Sequence, residues 1–251
     1  DSIHALVDST VEAMEEERRI EQTKDELITN VSHDIRTPLT SIIGYLGLVE
    51  QQRYQSIDEA KEYVHTAYKK ARQMKVLVDD LFEYTMVRQT DTPLNFITFD
   101  MIQLLEQLAS DFQLEADAKE MELEIQTDLD KLLMNGDSEK LVRVFNNLLS
   151  NAFNYGKGGH VVIISIELTD NDFVRINIKN DGERIPDEAV EQLFERFYRA
   201  ETSRSQESAS TGLGLAIAKN IVELHEGKIT AKTSDDWTEF IVELPVHLQK
   251  K

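Results

Sequence analysis

The sequence predicts an α plus α/β chain. A helical hairpin pairs with a second copy as a four-helix bundle, and an α/β sandwich follows, its mixed sheet covered by helices on one face. Three observations predict this. Apolar residues recur by three and four through two long segments before residue 90. The run Thr90-Asp91-Thr92-Pro93 then reads as a linker. Beyond it, short alternating segments interleave with helical ones, the pattern of one sheet packed under helices. The expected divisions are a helical coiled-coil linker over 1–25, the hairpin over 26–90 and the sandwich over 91–251.

Composition bounds what such a chain can do. It has 251 residues, 41% hydrophobic and 29% charged, enough for a packed core. Its net charge of −20 repels phosphates, which argues against non-specific nucleic-acid binding. A nucleotide would have to be held by Mg²⁺, backbone N–H groups and a few local cations. With no cysteine, disulfides, thiolate chemistry and Cys-ligated zinc are excluded. No run of 18 apolar residues exists to span a membrane, and no signal peptide is visible. The chain opens at Asp1 within a helical pattern and without an initiator Met, so it is expected to be part of something longer.

The elements follow in order. Residues 1–25 are charged and helical, with sparse apolar positions at Ile3, Val7, Val11 and Met14. Leu39, Ile42, Ile43, Leu46 and Val49 form a helical stripe. Val64, Ala67, Ala71, Met74, Val78, Leu81 and Thr85 give a second helix, from about Ile57 to Arg88, the spacing of a bundle seam. Two helices cannot enclose a core, so pairing with a second copy is the physical expectation. In the second half, a helix is expected over 100–118 and a strand over 121–127. Asp137 is a plausible N-cap for a helix reaching Tyr155. Residues 160–168 and 172–180 read as a hairpin, a helix follows Pro186, and 203–211 is small and polar. A helix opens near Leu213, and 228–233 with 237–244 form a last hairpin.

The hairpin carries Val31-Ser32-His33-Asp34-Ile35-Arg36-Thr37-Pro38-Leu39. A proline inside a helix costs about 3 kcal/mol, because it removes one bond and crowds the carbonyl four residues back. That carbonyl belongs to Asp34, so the helix has a soft point beside His33. Thr37 shares the face of His33. Imidazole is a base or nucleophile near neutral pH. Taken alone, such a histidine is more often an ordinary surface or capping residue.

Four segments of the second half carry polar residues that a bland fold does not need. In Asn146–Tyr155, Asn147 and Asn151 are one helical turn apart, and their amide oxygens are hard ligands suited to Mg²⁺. Asn180-Asp181-Gly182-Glu183-Arg184-Ile185-Pro186 ends a strand, and alone it is only a turn. Phe194-Glu195-Arg196-Phe197-Tyr198-Arg199 sets two guanidiniums before the polar stretch, as a hinged lid over an anion requires. Thr211-Gly212-Leu213-Gly214 opens a helix, where backbone N–H groups can meet a phosphate. The last is weak by itself, being neither a dinucleotide fingerprint nor a Walker loop.

In this order, and after a histidine-bearing hairpin, the four segments resemble the cytoplasmic core of bacterial sensor histidine kinases, from about Lys24 onward. The resemblance implies a dimerisation and histidine-phosphotransfer domain over 26–90 and a catalytic ATP-binding domain over 91–251. By resemblance His33 is the phosphoacceptor, Asp34 orients it or takes its proton, and Thr37 positions water for phosphatase action. Asn147 and Asn151 match the Mg²⁺–ATP asparagines, and Tyr155 the ring lying against adenine. Asn180 and Gly182 belong to the adenine box. Arg196 and Arg199 would hold the polyphosphate, residues 200–211 match a lid, and Gly212, Leu213 and Gly214 match the second glycine box. The implied cofactors are ATP and Mg²⁺. The implied partners are a response-regulator receiver domain and a second copy of the chain, with no nucleic acid. The full-length protein is expected to be anchored in a bacterial plasma membrane, this portion facing the cytoplasm. Thr40, Gly44 and Tyr45 lie where a regulator would dock.

Several positions depart from the family pattern. Asn180 stands where the family has Asp, and Arg184 where it has a second glycine. Asn154 replaces a basic residue that helps with phosphates, a task Lys157 could assume. The glycine-rich turn before Trp237-Thr238-Glu239-Phe240 is missing. The leading expectation is a kinase that autophosphorylates on His33 and passes the group to a regulator aspartate. The alternative is a degenerate kinase acting mainly as that regulator's phosphatase or scaffold. An ATPase or chaperone of the same nucleotide fold is disfavoured by the upstream hairpin.

Overall fold

The computed structural model describes residues 29, 31–87, 94–156, 158–169, 172–198 and 212–247. The expected linker over 1–25 and the polar stretch 200–211 lie outside them. The chain divides into two compact units, Asp1–Asp79 and Asp80–Lys251.

Helix α1 covers 31–50, and Pro38 sits within it without ending it. The helix stops at Gln52, whose φ is +54°. The Arg53 N–H returns to the Leu48 carbonyl at 2.8 Å and the Gln52 N–H to that of Val49 at 3.1 Å. This paired return is the usual helix stop, here built without glycine. Helix α2, Ile57–Val87, begins where the Ser56 hydroxyl accepts the Glu59 N–H at 3.1 Å and the Glu59 carboxylate reaches back to the Gln55 N–H. The Tyr45 and Tyr63 rings meet across the hairpin at 5.7 Å. Val31, Ala67 and Leu77 are buried, whereas Leu39, Ile43, Leu46, Val64 and Tyr68 remain exposed in the single chain.

The second unit holds a five-stranded mixed sheet. Its strands are β2 (Glu122–Gln126), β4 (Val161–Leu168), β5 (Phe173–Asn180), β6 (Lys228–Thr233) and β7 (Thr238–Pro245), in the order β2-β4-β5-β7-β6. Only β2 and β4 run parallel. Helices α3 (Met101–Ala118), α4 (Ser138–Tyr155) and α6 (Gly214–Leu224) contribute to its core. Along β5, Val174, Ile176, Ile178 and Asn180 are buried and alternate with more exposed residues, as a half-covered sheet dictates. α4 supplies Val144, Phe145, Leu148 and Leu149. Asp100 caps α3 through the Ile102 N–H, and Asp137 caps α4 through the Lys140 N–H, both at 3.1 Å.

Two features differ from expectation. β1 (Ile97–Asp100) pairs antiparallel with β3 (Leu133–Gly136) in a separate ribbon. Each strand is four residues long, too short to show a period. After Pro186 the helix α5 is only one turn, Asp187–Val190, and irregular turns continue to Phe197. No helix among the described residues is long and apolar enough to cross a membrane.

Candidate functional site

On α1 the His33 side chain is 77% exposed and its Nδ1 lies 3.1 Å from Asp34 Oδ1. With the proton on Nδ1 donated to that carboxylate, the Nε2 lone pair is left as the reactive one. Thr37 donates its hydroxyl to the His33 carbonyl at 3.2 Å. Pro38 cannot donate to the Asp34 carbonyl, and hydroxyls of Thr40 and Ser41 bond Arg36 and Thr37 carbonyls at 2.9 and 3.2 Å. The segment around His33 is thus a helix partly held by side chains. Thr40 and Gly44 are exposed and Tyr45 half-buried, so the first two are accessible to a partner.

In the second unit, α4 and the start of α6 are tied directly. Asn147 Nδ2 donates to the Gly214 carbonyl at 2.9 Å, and Asn151 Nδ2 donates to the Asn147 carbonyl at 2.7 Å. Both amide nitrogens are therefore used, and no protein donor among the described residues meets either Oδ1. A β-carbon at residue 214 would come within 3.2 Å of Asn147 Oδ1, so the glycine allows this approach. Gly212 has φ +68°, and its carbonyl accepts the Phe197 N–H at 2.9 Å. Leu213 between the glycines is fully buried.

The C-terminal end of α4 meets the end of β5. A β-carbon on Gly182 would lie 2.3 Å from Gly156 Cα, so two backbones touch there. Asp181 Oδ1 accepts the N–H groups of His160 and Val161 at 2.7 and 2.9 Å. Burial pushes this carboxyl up, but those hydrogen bonds outweigh it and hold it below its ordinary value. Asn180 is 2% exposed, and its amide has no protein partner among the described residues. Tyr155 ends α4 beside this junction.

Some of the expected residues are brought together and others are not. Asn147, Asn151, Gly212, Leu213 and Gly214 converge where α4 meets the start of α6, and Asn180 and Gly182 gather at Gly156. Arg196 is exposed. Arg199 and Lys157 lie outside the described residues. A cation does stand beside Asn154: Lys119, the C-cap residue of α3, donates to Asn154 Oδ1 at 2.9 Å and to the Phe153 carbonyl at 3.1 Å. Arg184, in place of a glycine, bonds Asp187 at 3.0 Å and Asp235 at 2.7 Å, tying the loop after β5 to the β6–β7 turn.

Two residues escaped sequence reasoning. Thr238 stands directly opposite Asn180 in the β5–β7 register, 3% exposed, its hydroxyl without a partner. Its place opposite Asn180 comes from pairing of strands that are not consecutive in the chain, which no local pattern announces. His225, 1% exposed, accepts the Asp137 N–H through Nε2 at 3.0 Å and donates from Nδ1 to the Ile221 carbonyl at 2.8 Å. It joins the end of α6 to the cap of α4. No sequence spacing announces a contact of that separation.

Residues 23–90 match the model of the His Kinase A (phospho-acceptor) domain, and residues 136–248 that of the histidine kinase-, DNA gyrase B- and HSP90-like ATPases. The chain is 38% identical to Sensor protein VanS of Enterococcus faecium, over 94% of itself and 61% of that protein. It is 36% identical to Sensor protein VanSC of Enterococcus gallinarum, over 98% of itself and 67% of that protein. The solved complex of histidine kinase ThkA with response regulator protein TrrA is similar, with TM-score 0.72 and 25% identity over 88% of this chain and 61% of that one. The chain belongs to the sensor histidine kinase family.

Proposed function

We propose that this chain is the ATP-dependent core of a two-component sensor kinase. It phosphorylates itself on His33 and passes the group to an aspartate on a response-regulator receiver domain. The observation that carries the reading is the His33–Asp34 pair: an exposed imidazole whose Nδ1 is already engaged at 3.1 Å. His33 Nε2 attacks the γ-phosphorus, the bond from that phosphorus to the β,γ-bridging oxygen breaks, and ADP leaves. Asp34 takes the Nδ1 proton as the ring gains its phosphoryl group. Little covalent help is needed beyond positioning and charge neutralisation.

Asn147 and Asn151 fit a hard divalent cation, since their Oδ1 atoms are the ends left over once both nitrogens are anchored. Mg²⁺ held there would neutralise polyphosphate charge in a chain of net charge −20. N–H groups at the start of α6 would meet phosphates there, Tyr155 would lie against the base, and Arg196 and Arg199 would hold phosphates. The domain divisions 26–90 and 91–251 follow from this reading. Pairing of two hairpins would cover Ile43, Val64 and Tyr68. The Thr37 hydroxyl, one turn from His33, can orient water to hydrolyse the regulator's acyl phosphate. An anchor to the plasma membrane belongs to the longer protein.

The test is incubation with γ-labelled ATP and Mg²⁺. Acid-labile, alkali-stable label on the wild type, absent from His33→Gln and Asn151→Ala, is expected. Nucleotide binding without label on the wild type overturns the kinase and favours a phosphatase or scaffold.

A further inference from the structure

The end of the sheet under Gly156 carries a row of polar side chains on its buried face. Register places Asn180 of β5 beside Thr238 of β7, and Thr238 beside Thr233 of β6. The hydroxyls of Thr233 and Thr238 are buried with no hydrogen-bond partner among the described residues, and the Asn180 side chain, on a residue 2% exposed, makes no hydrogen bond to them either. Neighbours in the core, Ile178 and Phe240, are apolar and offer nothing to bond. Gly156 packs close to this amide: a β-carbon there would stand 3.2 Å from Asn180 Nδ2.

The chemistry of this row decides which base edge it can read. A 6-aminopurine presents a donor at its amino group and an acceptor at N1. A 6-oxopurine presents the reverse, an acceptor at O6 and a donor at N1–H. A carboxylate only accepts, so one set against the 6-position bonds the amino group of the first and repels O6 of the second. An amide both donates and accepts, and it reverses by turning about its last bond. A hydroxyl rotates its proton to suit its neighbour. Every side chain in the row is of these two kinds, so none imposes a fixed polarity on the base.

We propose that the nucleotide site accepts 6-oxopurine triphosphates as well as ATP, because Asn180 and Thr238 can present either polarity to the base. The proposal rests on the reading of this end of the sheet as part of the nucleotide site. It adds a substrate class to it and makes Asn180 the residue that sets base specificity.

The test is equilibrium binding of ATP and ITP to the full chain in Mg²⁺, measured by displacement of a fluorescent nucleotide. ITP differs from ATP only at the reversed edge. The wild type is expected to bind the two within about tenfold of each other. Asn180→Asp is expected to widen the preference for ATP to about a hundredfold or more, as a fixed acceptor should. Thr238→Val should weaken both nucleotides together. Wild-type discrimination of a hundredfold against ITP, with ATP bound normally, overturns this proposal alone. An unchanged ratio in a folded Asn180→Asp also overturns it. Failure of both nucleotides to bind overturns the nucleotide-site reading beneath it.

Discussion

Asn147 donates from Nδ2 to the Gly214 carbonyl, a 2.9 Å bond joining two helices 67 residues apart in sequence. It fixes which end of the amide remains for a ligand, and it holds the first turn of α6 against α4. One hydrogen bond thus orders both halves of the proposed phosphate site.

That bond can be reversed in sign with little change of shape. Asn147→Asp keeps an oxygen for the cation but sets a second acceptor against the Gly214 carbonyl. We expect a stability loss of about 1–2 kcal/mol, read from denaturant midpoints. Nucleotide affinity should fall as well, since the start of α6 is released. An Asp variant as stable as the wild type would show that the tie is dispensable.

Gly182 is where the close approach leaves no choice of residue. A methyl group there would meet backbone on three sides, Gly156 Cα, C and O, at 2.3, 2.5 and 2.8 Å. Backbone cannot swing aside as a side chain can. Gly182→Ala should cost about 1–3 kcal/mol or more and separate β5 from the end of α4. Calorimetry checks the first effect, and nucleotide titration the second.

Asp34→Asn tests the tautomer argument on α1. The amide can still face Nδ1, but it neither favours a charged ring nor takes a proton. We expect the rate of His33 labelling to fall about a hundredfold or more while nucleotide affinity stays unchanged. An equal fall in affinity would place Asp34 in binding and not in proton transfer.

How much of this was legible in the sequence depends on how local the cause is. α3, α4 and the β4–β5 hairpin are set by local periodicity, with the cap Asp137 at the start of α4, all readable within a few residues. Asn147 and Asn151 were legible because one helical turn puts them on one face. The β1–β3 ribbon was not, since its two short strands are joined by register alone. Thr238 was hidden for the same reason: its meaning comes from Asn180, across a strand pair. Lys119 reaches Asn154 from another helix, and only the fold brings the two together.

His225 shows what such a long-range contact does to pH dependence. It is buried between the end of α6 and the cap of α4, with the Phe96 ring tilted at 55° and 6.1 Å away between centroids. Burial holds its pKa below the ordinary 6.5, opposed by the bond to Ile221 and by Asp137, with Lys140 adding to the depression. Folded protein therefore keeps the ring neutral, which Nε2 needs in order to accept the Asp137 N–H. Above pH 6.5 both folded and unfolded chains have it neutral, and its full contribution is present. As pH falls below that value the unfolded chain takes up the proton and the folded chain does not, so stability drops until the folded pKa is passed. Tm should fall between pH 7.5 and 5.5 by more than in His225→Gln, whose amide oxygen can accept the same N–H but does not titrate. Parallel Tm profiles for the two proteins across that window would show that the ring at 225 carries none of the pH dependence.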